Sequence, residues 1–211
     1  MIEEKFFEVY NGHPGVNHLG DDTHIGIEPM WDVINVMRLV YLKAAPIYGI
    51  ATDDSHEYHG RPGSRPGRGW VMVRSKYLSP EHLIIAMKNG DFYASSGVTL
   101  DSIQWDSKTN QLQLAIQPTD GTEYETHFIV VDRPKDGAVD DSIPLPDLKI
   151  DQLPQAYVKA KVPGISPTYQ LDGTELYVRA VVFSNQAPVD PVWRGQLQQA
   201  WTQPIGWKVE D

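Results

Sequence analysis

The stretch YGIATDDSHEYHG, Tyr48 to Gly60, passes from an apolar run into two aspartates and two histidines. Carboxylates and imidazoles are side chains that hold divalent Zn, Mn or Fe, and in a chain with no cysteine any such ion must rest on His, Asp and Glu. The Asp-x-His pair Asp54 and His56, placed at the end of a strand, suits such an ion. The strand fixes the backbone, and the one-residue gap lets both side chains point to the same side. The same residues also suit a plain turn, in which Asp53, Asp54 and Ser55 cap backbone amides and His56 lies at the surface. Five of the seven histidines, His13, His18, His24, His56 and His59, fall early in the chain beside Asp21, Asp22, Asp53 and Asp54. Ligand types gathered on loops after strands are the pattern of an α/β active site. Equally, HPGVNHLGDDTH could be a solvated loop. Arg61, Arg65 and Arg68, in HEYHGRPGSRPGRG, could bind an anion or belong to a flexible solvated segment.

The elements that would position these residues follow from the spacing of apolar side chains. FFEVY (6–10), closed by Asn11-Gly12, predicts a strand and turn. Met30, Val33, Ile34, Met37, Val40 and Tyr41 recur every three or four residues, predicting a helix over about 29–43 with Pro29 in its first turn. IYGIAT (47–52) predicts a short buried strand whose end delivers Asp53, Asp54 and His56 into a Gly- and Pro-rich loop. WVMVRS (70–75) predicts a strand, and SPEHLIIAMKNG a helix over about 80–89 with Ser79 as N-cap, Pro80 first and Gly90 as stop. After Tyr93 the pattern alternates apolar and polar as in antiparallel strands, with turns at Ser107–Asn110 and Thr119–Gly121. Residues 134–154 predict an irregular connector, 173–184 the strongest later strand, and QQAWTQPIGWK a packed tail.

Composition narrows the function classes. The chain has 211 residues, long enough to bury a core, and a formal charge of −10, which argues against nucleic acid as a partner. No apolar run approaches the roughly 18 residues of a membrane span, no signal peptide is visible, and no membrane role is expected. Trp105, Tyr124, Phe128, Tyr177 and Trp201 could line a carbohydrate or peptide surface, but aromatic residues on strands more often form core.

Taken together, FFEVYNGHPGVNHLGDD, MWDVINVMR, YGIATDDSHEYHG, PGRGWVMVRS, LSPEHLIIAMKNGDFYASSGV and QQAWTQPIGW resemble the C-terminal portion of PHP-type metallohydrolases, the polymerase and histidinol phosphatase superfamily. The likeness is greatest to the CehA/McbA-like branch. It runs in order over most of residues 6–100 and returns at 174–207. The resemblance implies a fold of the α/β plus β class. Residues 1–97 would be the C-terminal part of a distorted, TIM-barrel-like (β/α)7 barrel, and 98–211 a β-rich, sandwich-like domain. It also implies a cluster of Zn, Mn or Fe ions at strand C-terminal ends, hydrolysing phosphate esters or, in some branch members, other esters or carbamates. Such a cluster lowers the pKa of bound water toward neutrality and clamps the phosphoryl oxygens, so no protein nucleophile is needed. The family's last metal motif falls on Asp54 and His56, which become the implied ligands. The branch segment E-V-Y-N-G-H-P falls on Glu8 to Pro14, which places Asn11 and His13 on the pocket wall. Asp53 and His59 would support the ligands or the loop, and Arg61, Arg65 or Arg68 would neutralise phosphate.

The departure from the family pattern is large. Family members open with an H-x-H motif, and this chain contains none. Asp54 and His56 are too few to hold a catalytic cluster, so the divalent ions are not expected to be fully bound by this chain, which alone is expected to be inactive. One expectation is a fragment whose missing N-terminal half supplies the other ligands. The alternatives are one half of a two-chain enzyme and a non-catalytic β-rich binding or structural module. The expected partners are a small-molecule phosphate ester or related ester, and either the missing half or a homo-oligomer partner that pairs with the FFEVYNG edge.

Overall fold

The computed structural model describes residues 3–61, 63–135, 144 and 147–209. In chain order it forms β1 (Phe6–Asn11), α1 (Ile27–Val36), β2 (Tyr48–Thr52), β3 (Trp70–Val73), α2 (Pro80–Lys88), β4 (Phe92–Ser95) and β5 (Leu100–Asp106). There follow β6 (Gln111–Ile116), β7 (Tyr124–Asp132), β8 (Ala156–Pro163), β9 (Thr168–Gln170), β10 (Glu175–Ser184) and β11 (Gln199–Trp201). No described helix is long and apolar enough to cross a membrane.

The strands make three sheets. β1 and β2 pair in parallel, β3-β4-β11-β10-β7-β8 form a six-stranded antiparallel sheet, and β5-β6-β9 form a three-stranded one. β10 explains the layering. Val178, Ala180 and Val182 pack with Leu112 and Leu114 of β6 and Phe128 of β7, closing the core between the two antiparallel sheets. The alternate residues of β10 face the other way. Tyr177 packs with Val36, Leu39 and Val40 at the end of α1, and Val181 with Trp31 of α1 and Val9 and Tyr10 of β1. A strand with both faces covered reads as a continuous apolar run, which is why LYVRAVVF shows little alternation. The aromatics Tyr124, Phe128, Tyr177 and Trp201 are all buried, while Trp105 is half-buried.

A polar tie crosses the second interface. Arg179 of β10 donates from Nε and Nη2 to the two oxygens of Asp32 at 2.8 and 2.7 Å, and from Nη1 to Glu28 Oε2 at 2.9 Å. Tyr177 Oη donates to Asp32 at 2.8 Å, and Trp201 Nε1 donates to Glu28 at 2.9 Å. Both residues of the Arg179–Asp32 pair are buried, so its bidentate geometry and the added tyrosine bond offset the cost of desolvating two charges.

The structure corrects the expected fold class. The (β/α)7 barrel portion over 1–97 is not present: the described residues are mostly β, with two short α-helices and three sheets. β3 and β4, which flank α2 and so read as a barrel unit, run antiparallel to each other, Trp70 opposite Ser95 and Val73 opposite Phe92. β4 then pairs with β11 from the end of the chain. The alternation of strand and helix in sequence favours parallel pairing, but here β4 is taken into the antiparallel sheet, with Ala94 buried beside Val181 and Trp201.

Local differences have local causes. The helix expected over 29–43 begins at Ile27 and ends in a π turn, Met37–Tyr41, where Leu42 N–H donates to Met37 O. The wider turn carries Arg38 inward, and its Nε donates to Ala45 O at 2.6 Å. Ser79 stands at the N-cap of α2, but its hydroxyl pairs with His82 Nδ1 at 2.8 Å rather than with a backbone amide. The β5–β6 hairpin turns at 107–110, with Asn110 in the left-handed region at φ +53°. Of the connector expected at 134–154, residues 136–143, 145 and 146 lie outside the described residues. Its described end holds a 3-10 turn, Ile150–Gln152.

Candidate functional site

The parallel pairing of β1 and β2 brings their C-terminal ends together. Asn11 stands beside Thr52, and Gly12 N–H donates to Thr52 O at 2.8 Å. Two loops leave from that point, one through His13 and one through Asp53 to His56. Gly12 is required there, because a Cβ would meet Asp53 O at 2.8 Å and Arg68 Cβ at 2.9 Å.

Asn11 is the hub. Its side chain is buried, its Nδ2 donates to Glu8 Oε2 at 2.8 Å and to Asp54 Oδ2 at 3.4 Å, and its Oδ1 accepts His13 N–H at 2.7 Å. Thr52 Oγ1 donates to the other Glu8 oxygen. Glu8, Asn11, Thr52 and Asp54 thus form one hydrogen-bonded row across the two strand ends. Asp54 adopts φ +47°, a conformation that costs a non-glycine residue and that Asp tolerates better than most.

The imidazoles of His13 and His56 stack at 5.1 Å with 19° between their planes. Their neighbours assign different tautomers to them. His56 Nδ1–H donates to Asp54 O at 2.9 Å, so the neutral ring carries its lone pair on Nε2. His13 Nδ1 accepts Gly15 N–H at 3.0 Å, so the neutral ring carries its proton on Nε2. Side by side, the pair offers one nitrogen that can accept a metal or proton and one that can donate a hydrogen bond.

The remaining sequence candidates divide by what they touch. Asp53 is taken up by its own loop: its carboxylate accepts the N–H groups of Gly67 (3.0 Å), Arg68 (2.6 Å) and Gly69 (2.8 Å), and its carbonyl accepts Ser64 Oγ–H at 2.6 Å. Arg68 is buried, donating from Nε to Asp190 at 2.8 Å and from Nη1 to Gly12 O at 2.7 Å. Arg65 forms a bidentate pair with the same carboxylate at 2.9 and 2.5 Å. Hydrogen bonding to Arg68 first, and then to Arg65, holds Asp190 below the usual carboxylate range. Two of the three loop arginines therefore fasten the loop to Asp190. Arg61 and His59 are exposed, His59 at φ +59°.

His18 and His24 stand apart from the row. His18 Nε2–H donates to Asn11 O at 2.6 Å, and its ring packs against Tyr10 and Trp193 at 5.2 and 4.9 Å, where burial lowers its pKa. His24 is exposed and pairs with Asp21 at 2.9 Å. Bonding to the Thr23 side chain above all brings Asp21 to about 2.

Sequence reasoning passed over Glu8, Thr52 and Asp190. Glu8 had a legible signal, a lone carboxylate inside the apolar run FFEVY. Asp190 had none, since 122 residues separate it from Arg68.

Among the described residues, no three His, Asp or Glu side chains stand so as to hold a metal ion. Asp54 and His56 offer two donors from one turn, which does not make a shell by itself. Compared with protein-family models, curated proteins and solved structures, the chain matches none.

Proposed function

We propose that this chain contributes one part of a composite hydrolase centre of the metal-dependent type its sequence resembles, acting on phosphate or related esters. Asp54 and His56 would be two of its metal ligands, and another polypeptide segment would bring the rest. The observation that carries this reading is the fixed His56 imidazole. Its Nδ1–H is bound to Asp54 O, and among the described residues the Nε2 lone pair has no partner, on the same turn as the Asp54 carboxylate. Asn11 and Glu8 hold that carboxylate in register with β1, and His13 supplies a donor beside it.

Two surfaces support the composite reading. A two-stranded parallel sheet is rarely stable by itself, and among the described residues no strand lies on the outer edge of β1. α2 buries Ala86 alone and leaves Ile84 and Ile85 exposed, with Leu78 nearly fully exposed just before it.

The test is a titration of the 15N-labelled chain with Mn2+. Paramagnetic broadening is expected to centre on Asp54 and His56, spread to His13 and Asn11, and vanish in the Asp54→Asn/His56→Ala variant. Broadening that avoids this turn, or that persists in the double variant, sinks the proposal. A second reading, a binding module without catalysis, is favoured by a groove on a different part of the molecule.

A further inference from the structure

An open groove of about 1070 Å3 runs between the β3–β4 part of the large sheet and β5. It takes in Tyr48, the first residue of β2, whereas Asp54 and His56 follow the last, so it is separate from the paired strand ends. Its size lies just above the range of most small-ligand pockets, roughly 300–1,000 Å3.

The groove is lined by rings that keep a polar atom unspent. Tyr48, Trp105 and Trp207 are half-buried in its wall, and neither the Tyr48 hydroxyl nor either indole N–H makes a hydrogen bond among the described residues. The two fully buried tryptophans differ: Trp31 Nε1 donates to Ile47 O and Trp201 Nε1 to Glu28. Asn89, Asp101, Gln104 and Asn110 line the same groove with side chains that bond nothing among the described residues. Gly206 lies against Trp105; a Cβ there would meet the ring at 3.3 Å.

Charge selects the class of ligand. The lining holds two cations, Arg74 and Lys208, and two carboxylates, Asp91 and Asp101, with Arg74 paired to Asp91 at 2.6 Å, so its formal charges cancel and favour neither an anion nor a cation. A wholly apolar occupant would strand the unspent amides and ring donors. A molecule with flat C–H faces for the indoles and many hydroxyls for the amides satisfies both demands. We propose that this groove binds a neutral oligosaccharide, which stacks on Trp105 and Trp207 and hydrogen-bonds to Asp101, Gln104 and Asn110. The proposal is independent of the hydrolase reading.

The experiment titrates the 15N-labelled chain with cellotetraose, xylotetraose, maltotetraose and chitotetraose and follows the six tryptophan indole signals. At least one sugar is expected to saturate, moving the Trp105 and Trp207 signals and not those of Trp31 or Trp201, with an affinity unchanged by salt. Trp105→Ala is expected to weaken binding about tenfold. Because Trp105 also packs on the core, Asp101→Ala and Gln104→Ala, both at exposed positions, carry the test if that variant does not fold. Asp54→Asn/His56→Ala is expected to bind the sugar normally. Silence from all four sugars overturns the proposal, as do shifts that map outside the groove, affinity unaffected by both exposed-site variants, or preference for a sulfated tetrasaccharide.

Discussion

The carboxamide of Gln203 closes on the backbone of Gly49 from both directions: Oε1 accepts Gly49 N–H at 2.7 Å and Nε2 donates to Gly49 O at 2.9 Å. A buried side chain thereby takes the place of a neighbouring strand on the outer edge of β2 and ties it to the end of the chain. Gln203→Ala strands both backbone groups, each at about 1–3 kcal/mol, and Gln203→Glu loses the donor while setting a buried carboxylate oxygen against Gly49 O. Urea unfolding should place both variants below the parent.

The Arg179–Asp32 pair gives a second test. Arg179→Met leaves Asp32 charged and buried, with an expected loss of about 3–5 kcal/mol. Adding Asp32→Leu removes the stranded charge, so the double variant should be more stable than Arg179→Met alone. A double variant that is worse than the single one would mean that the pair is not coupled as its geometry requires.

His18 makes stability depend on pH in a defined direction. Burial lowers its pKa in the folded state from the ordinary 6.5, so the unfolded chain binds the extra proton first as the pH falls. The stability linked to a neutral His18 is complete above 6.5 and is lost progressively below it, toward the lowered folded value. His18→Gln should flatten the stability profile across that interval, measured by urea midpoints on either side of pH 6.5.

Asp53 should govern the loop rather than the chemistry. With three backbone amides on its carboxylate, Asp53→Ala is expected to loosen the loop that ends at Gly69 and raise the rate of tryptic cleavage between Arg68 and Gly69 by on the order of tenfold. The Mn2+-induced broadening at His56 would weaken at the same time, because the turn that presents it loosens.

Much of the local structure was legible because it is set by neighbours in sequence. The apolar run before Asp53, the Pro80 and Gly90 that bracket α2, and the polar turn at 107–110 each carry their own physical cause. The sheet order was not legible. β11 is three residues long, and what places Ala200 beside Ser95 is the shared burial of Trp201, Ala94 and Val181, contacts that span the chain. The Asp-x-His spacing pointed to Asp54 and His56, but the row that holds them depends on the parallel register of β1 and β2. The commitment of Arg65 and Arg68 depends on Asp190. Both are products of tertiary packing.

β10 serves all three layers at once, supplying apolar side chains to the three-stranded sheet on one face and an ion pair to α1 on the other. Losing that strand dismantles both cores, and losing either core exposes that strand. Heat should therefore melt the protein in one calorimetric transition, with the amides of Val178 to Val182 the last to exchange with deuterium, at the rate of global opening.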